Sequence, residues 1–201
     1  MNSKTLVLAL FAIIMLSCTG RDGSTTTNET NEKVNITEDS LVVQNEEIQK
    51  TILIASNSVD GVVIGKKIDD FIAEGQQRYS VKKETMNMEG DDYVIYNVYE
   101  GERKLYSVEP DFDNPDVIDR IWVYDSKCKT KEGIGVNSSL ADIKSKYTIE
   151  YISTEEGLSI HVKEIPVAFI PDESKVPDNW WGKADYKKLP DNLPILKIIV
   201  N

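Results

Sequence analysis

A chain of 201 residues with a formal net charge of −11 repels phosphate backbones and anionic lipid, so nucleic acid is excluded as a partner. With 40% hydrophobic residues it can bury an ordinary core, in one domain or two small fused halves. A lone histidine and the lack of G-x-S-x-G, H-E-x-x-H or a phosphate-cradling glycine loop point away from an enzyme.

The first predicted element is an export signal over residues 1–17. Lys4 supplies the positive charge, Leu6–Leu16 is an unbroken apolar run, and Ser17 is the small residue before Cys18, which are the parts of a secretory signal peptide. Such a run rises only about 16 Å as a helix, roughly half of a hydrocarbon core, so it does not span a bilayer. The segment Met15-Leu16-Ser17-Cys18 resembles the lipobox of bacterial lipoproteins, in the looser form of Bacteroidetes-type bacteria. Met15 stands where Leu is usual, and Leu16 where a small residue is. The resemblance implies covalent diacylglycerol and an N-acyl (palmitate-type) lipid on Cys18, a membrane partner through that anchor, and no other cofactor. Two or three acyl chains make such attachment stable, because each buried methylene contributes about 0.8 kcal/mol. Thr19 after Cys18, by resemblance to the enterobacterial sorting rule, implies the outer membrane, facing the periplasm.

Residues 18–45 are rich in Thr, Asn, Ser and Glu and have no aromatic residue. They cannot bury enough surface to offset their ordering entropy, which predicts a flexible tether. Such a chain spans on the order of 30 Å.

The folded part is expected as two units, 46–126 and 127–201, from an internal match. Gly61-Val62-Val63-Ile64-Gly65-Lys66-Lys67-Ile68-Asp69-Asp70-Phe71 aligns without gaps on Gly133-Ile134-Gly135-Val136-Asn137-Ser138-Ser139-Leu140-Ala141-Asp142-Ile143. Gly65 falls on Asn137, two residue types that accept positive φ, which predicts the same turn in both places. Each segment then opens a short helix, with apolar stripes Ile68, Phe71, Ile72 and Leu140, Ile143, Tyr147, and Ser138 as the expected N-cap of the second. Strands are expected at 79–86, 92–99, 103–109 and 118–123, then at 147–153, 157–163, 165–170 and 195–200. Hairpin glycines lie at Gly90, Gly101 and Gly157. The last strand of each set reads I-x-[KR]-I-x-V, with Arg120 and Lys197 at the basic position. The fold class this predicts is α+β, two tandem repeats of one short helix followed by four antiparallel strands.

That element order is similar to the tandem units of the β-lactamase inhibitory protein family, and to the single-unit assembly lipoprotein of the outer-membrane barrel machinery. Those families have a helix-loop-helix where one helix is expected here, and the inhibitors carry disulfides that Cys128 cannot form once Cys18 is acylated. The resemblance therefore implies a protein-binding surface in general and assigns no functional residue.

Three features bear on chemistry. The turn Glu109–Asp116 is read as a solvated acidic loop joining two strands and no metal is expected; Asp111, Asp113 and Asp116, hard oxygen ligands of the kind Ca²⁺ takes but without EF-hand spacing, are the alternative. Alternation in Leu158–Lys163 sends His161 outward with Ser159 and Lys163, as a solvated strand histidine. The connection Pro171–Pro194 carries Trp180, Trp181 and Tyr186, and long connections are often functional. These three aromatics are the candidate partner-binding residues, unless the tryptophans fold down over the sheet. The expectation is a membrane-anchored, non-enzymatic envelope lipoprotein that uses this connection to bind another envelope protein. A carboxylate-based hydrolase or glycan-binding protein, and a purely structural lipoprotein, are the alternatives.

Overall fold

The computed structural model describes residues 51–88, 91–155, 157–181 and 185–201. The signal peptide, Cys18 and the tether lie outside the described residues, as does Gly90. The described chain begins with three short strands, β1 (Ile52–Ala55), β2 (Ser58–Val59) and β3 (Val62–Val63). Helix α1 (Ile68–Gly75) follows, and then a meander of β4 (Ser80–Met88), β5 (Asp91–Glu100), β6 (Arg103–Pro110) and β7 (Ile118–Val123). After β8 (Cys128–Thr130) come helix α2 (Leu140–Lys146) and the strands β9 (Ile149–Ser153), β10 (Ser159–Val162), β11 (Val167–Pro171) and β12 (Ile195–Val200).

The strands make two sheets. One has eight strands in the order β4-β5-β6-β7-β12-β11-β10-β9, every pair antiparallel. The other has four, in the order β3-β2-β1-β8, with β8 parallel to β1.

The expected fold class is therefore corrected. The protein is mostly β, with two α-helices among the described residues, and it is not two repeats of a helix plus four strands. The four-stranded sheet leaves no pattern in the sequence. Its strands are two to four residues long, too short to show alternation, and the β1–β8 pairing joins Ile52 to Cys128, about half of the described chain apart. The longer strands stand where alternation placed them, with β7 and β12 at Ile118–Val123 and Ile195–Val200.

The turns before the two helices are built alike. Gly65 has φ +80° and Asn137 φ +67°, the left-handed conformation that Gly and Asn tolerate best. The Gly65 N–H donates to the Ile118 carbonyl at 2.7 Å, and the Asn137 N–H to the Ile195 carbonyl at 2.8 Å. Each turn thus stitches its helix to the strand carrying the I-x-[KR]-I-x-V pattern. The helix starts differ. Ser139, not the expected Ser138, caps α2, accepting from the Asp142 N–H while the Asp142 carboxylate accepts from the Ser139 N–H. This reciprocal arrangement satisfies two otherwise orphaned donors. Lys67 at the start of α1 makes no side-chain cap.

One face of the eight-stranded sheet lies in the core. Val98, Tyr106, Val108, Ile121, Val123 and Ile198 are buried in one cluster with Ile68 and Phe71 of α1, Leu140 and Ile143 of α2, and Ile54 of the small sheet. Cys128 is buried in the same cluster, and burial pushes its thiol up to about 12, so it behaves as a small apolar residue rather than a nucleophile.

Candidate binding face

The opposite face of the large sheet is read from the strand register. Residues paired directly across antiparallel strands point to the same side. A single row crosses all eight strands: Lys82 with Asn97, Asn97 with Ser107, and Ser107 with Trp122. It continues through Ile199 and Ala168 to His161 and Tyr151. Neighbouring strands lie about 4.8 Å apart, so the row is about 34 Å long. Large residues end the row's second half, Trp122 on one side and the Tyr151–His161 pair on the other, and between them stands Ala168.

That small residue opens a hollow of about 550 Å³ bounded by Trp122, Tyr151, His161, Ala168 and Ile199. The Tyr151 and His161 rings stack with centroids 4.2 Å apart and planes within 10°. Ser159 Oγ lies 3.1 Å from His161 Nε2. Burial lowers the His161 pKa, against a smaller opposing pull from Glu150. His161 does leave the core face, as the alternation predicted, but it is half-buried in a stack rather than solvated. A second hollow of about 580 Å³ lies on the other side of Trp122, among Met86, Tyr93, Ile95, Phe112 and Tyr124. Arg120, Trp122 and Lys197 line both hollows and form the ridge between them.

Trp122 is held firmly. Its indole Nε1–H donates to Glu109 Oε2 at 2.5 Å, and Glu109 is itself buried. Lys197 Nζ lies 4.7 Å and Arg120 Cζ 5.7 Å from the indole ring centroid, within range of cation–π attraction. Arg120 Nε also donates to Asn201 Oδ1 at 3.0 Å. The same face holds Lys104 over Tyr124 at 4.3 Å and Lys82 over Tyr99 at 4.9 Å. An acidic protein thus places a group of its cations against aromatic rings on one sheet face.

The sequence candidates fall elsewhere. Trp180 is 2% exposed, sits in the core cluster with Val176, Leu189 and Leu193, and its Nε1–H donates to the Asp185 carbonyl at 2.9 Å. A ring so enclosed cannot reach a partner, and its place as a binding residue is corrected to a core one. The connection folds down because four of its apolar side chains find the core. Trp181 is 40% exposed and packs edge-on to Trp180 at 5.4 Å. Tyr186 opens a short 3-10 turn, Tyr186–Lys188, and its side chain lies outside the described residues. The carboxylate of Asp111 accepts from the N–H groups of Asp113 and Asn114 at 2.9 and 2.7 Å, which builds a turn. Asp111, Asp113 and Asp116 do not converge, and among the described residues no group of three acidic, histidine or cysteine side chains is placed to hold a metal ion. The tip of that turn presents Phe112, 82% exposed, to the second hollow.

Trp122 escaped sequence reasoning because the row is assembled from seven strand pairings, none of them visible in a local motif. One signal did point there: Arg120 and Lys197 share the basic position of the I-x-[KR]-I-x-V strands, and β7 and β12 are neighbours in the sheet.

Among the described residues no helix is long and apolar enough to cross a membrane. No family model and no curated protein matches the chain. Among solved structures, the crystal structure of the uncharacterized protein yfeY from Escherichia coli is similar in fold, with a TM-score of 0.56 at 16% identity over 74% of this chain and 98% of that one.

Proposed function

We propose that this protein is an exported, lipid-anchored envelope binding protein whose recognition surface is the open face of the large sheet, centred on Trp122. The observation that carries this reading is the aromatic and cationic row with a hollow on each side of a fixed tryptophan. Concave surfaces lined by rigid aromatics and a few oriented polar groups are suited to recognition. The chemistry on this face is that of binding rather than turnover: the single histidine is stacked on Tyr151 and bonded to Ser159. The lipobox-like segment ending at Cys18 supports a tethered position at a membrane, with the acyl chains as its link to the bilayer.

Two experiments test the two halves. Radioactive palmitate should label the wild type and not Cys18→Ala, and only the wild type should sediment with membranes; an unlabelled wild type would refute the anchor. For the face, detergent-solubilised envelope material should be retained by the wild type and lost by Trp122→Ala, with the circular dichroism of both unchanged. Equal retention by a folded Trp122→Ala would refute the sheet face as the recognition surface.

A further inference from the structure

We propose that the hollow floored by Ala168 and Ile199 is a site for a neutral saccharide, an assignment that rests on the open face being the recognition surface. The hollow's volume of about 550 Å³ falls within the roughly 300–1,000 Å³ of small-ligand sites. Its two ends are aromatic: Trp122, whose ring carries Lys197 and Arg120, and the Tyr151–His161 stack, in which Tyr151 is 51% exposed. An exposed ring such as that of Tyr151 receives the flat, C–H-bearing side of a pyranose ring. Its rim mixes donors and acceptors, with Ser153, Ser159, Glu155, Lys197 and Asn201 all lining it.

That mixture discriminates between ligand classes. A hydroxyl donates once and accepts twice, so Ser153 and Ser159 retain capacity beyond their bonds to the Glu155 N–H and to His161. An apolar ligand would bury these groups without partners, at a cost. A phosphate or carboxylate would find Lys197 and Arg120, but would also face Glu155, and Arg120 is already engaged by Asn201 and lies 3.9 Å from Glu109. The strands that carry the floor, β11 and β12, are each bonded on both sides, so on the floor only side chains meet the ligand. A peptide adding to the sheet would pair with the free edge of β9, at the hollow's rim rather than on its floor. A neutral polyol satisfies donors and acceptors alike and brings an apolar face for the rings.

The test uses the full lipidated protein in a detergent without a sugar headgroup. The probes are neutral oligosaccharides of two to four hexose or N-acetylhexosamine units, with uronic-acid oligomers of equal length beside them, followed by titration calorimetry. Saturable binding of a neutral oligosaccharide is expected, weakened at least about tenfold by Tyr151→Ala and by Ala168→Phe, which fills the floor. Tyr151 lies on an edge strand and is half exposed, so this variant keeps its fold even if Ala168→Phe does not. The proposal is overturned if no neutral oligosaccharide binds, if uronic-acid oligomers bind as tightly, or if Tyr151→Ala leaves binding unchanged. If it is overturned while Trp122-dependent retention of envelope material persists, the recognition face stands and only its ligand class is wrong. Loss of both refutes both.

Discussion

The two faces of the large sheet are made from the same strands, yet they are different surfaces. On the packed face, Val98, Val108, Ile121, Val123 and Ile198 are aliphatic, and burial against the helices and the small sheet is what they contribute. On the open face the residues one step along the same strands are Asn97, Ser107, Trp122, Lys197 and Ile199. Strand alternation sets this contrast. Asn97 and Ser107 are themselves buried and bonded to each other at 2.7 Å, so the part of this face free to meet a ligand lies around Trp122 and the two hollows. The lesson is that stability and recognition can be assigned to opposite sides of one set of strands, and that substitutions on the two sides should have different consequences.

The largest effect is expected where an aromatic belongs to the core. Trp180→Ala should destabilise by about 3–5 kcal/mol through lost burial and the cavity left behind, whereas its neighbour Trp181→Ala should cost less than about 1 kcal/mol. Urea unfolding midpoints measure both. Similar costs for the two would show that the connection is not anchored by Trp180. Next comes Trp122→Phe, which removes the indole donor and leaves the buried Glu109 carboxylate short of a partner, a loss of about 1–3 kcal/mol. A near-zero cost would mean that the indole is not held as described and would weaken the contrast between the faces.

Ser139→Ala breaks the capping box of α2 and should cost about 1 kcal/mol. Because α2 packs on the buried face, ligand retention at 25 °C should not change, so a binding defect in this variant would show that the faces are coupled. The smallest effect concerns His161. Burial holds its folded pKa below the ordinary histidine value of about 6.5, so the unfolded chain takes up its proton first as pH falls. Stability from this group is therefore full above about 6.5 and is lost as pH drops from there through the folded pKa. Thermal melts at pH 5 and 7 should show a slightly smaller pH dependence in His161→Gln than in the wild type. A steeper dependence in the variant would reverse the sign and place His161 in a site that favours its charged form.

Much of the packed face was legible in the sequence, because period-two alternation over four to ten residues marks a half-buried strand on its own. The left-handed turn at Gly65 and Asn137 was legible for the same local reason. What escaped was non-local. The strands β2 and β3, two residues each, have no period to read, and β8 acquires its partner only through the parallel pairing with β1. Three aromatics in one connection suggested a binding loop, yet composition does not say which side of a ring meets the core. Val176, Leu189 and Leu193, spaced irregularly through the same connection, carry Trp180 inward with them. The open face was the least legible part, since Trp122 and Ala168 become neighbours of His161 only after β7, β12, β11 and β10 are set side by side.

The most direct test of the recognition face is photo-crosslinking in growing cells, with a benzophenone side chain placed at the exposed Thr154 on the rim of the first hollow or at Trp181 on the Pro171–Pro194 connection. A crosslinked product of raised mass is predicted from position 154, abolished by Trp122→Ala, and none from position 181. Crosslinking from position 181 alone would contradict this and return recognition to the connection.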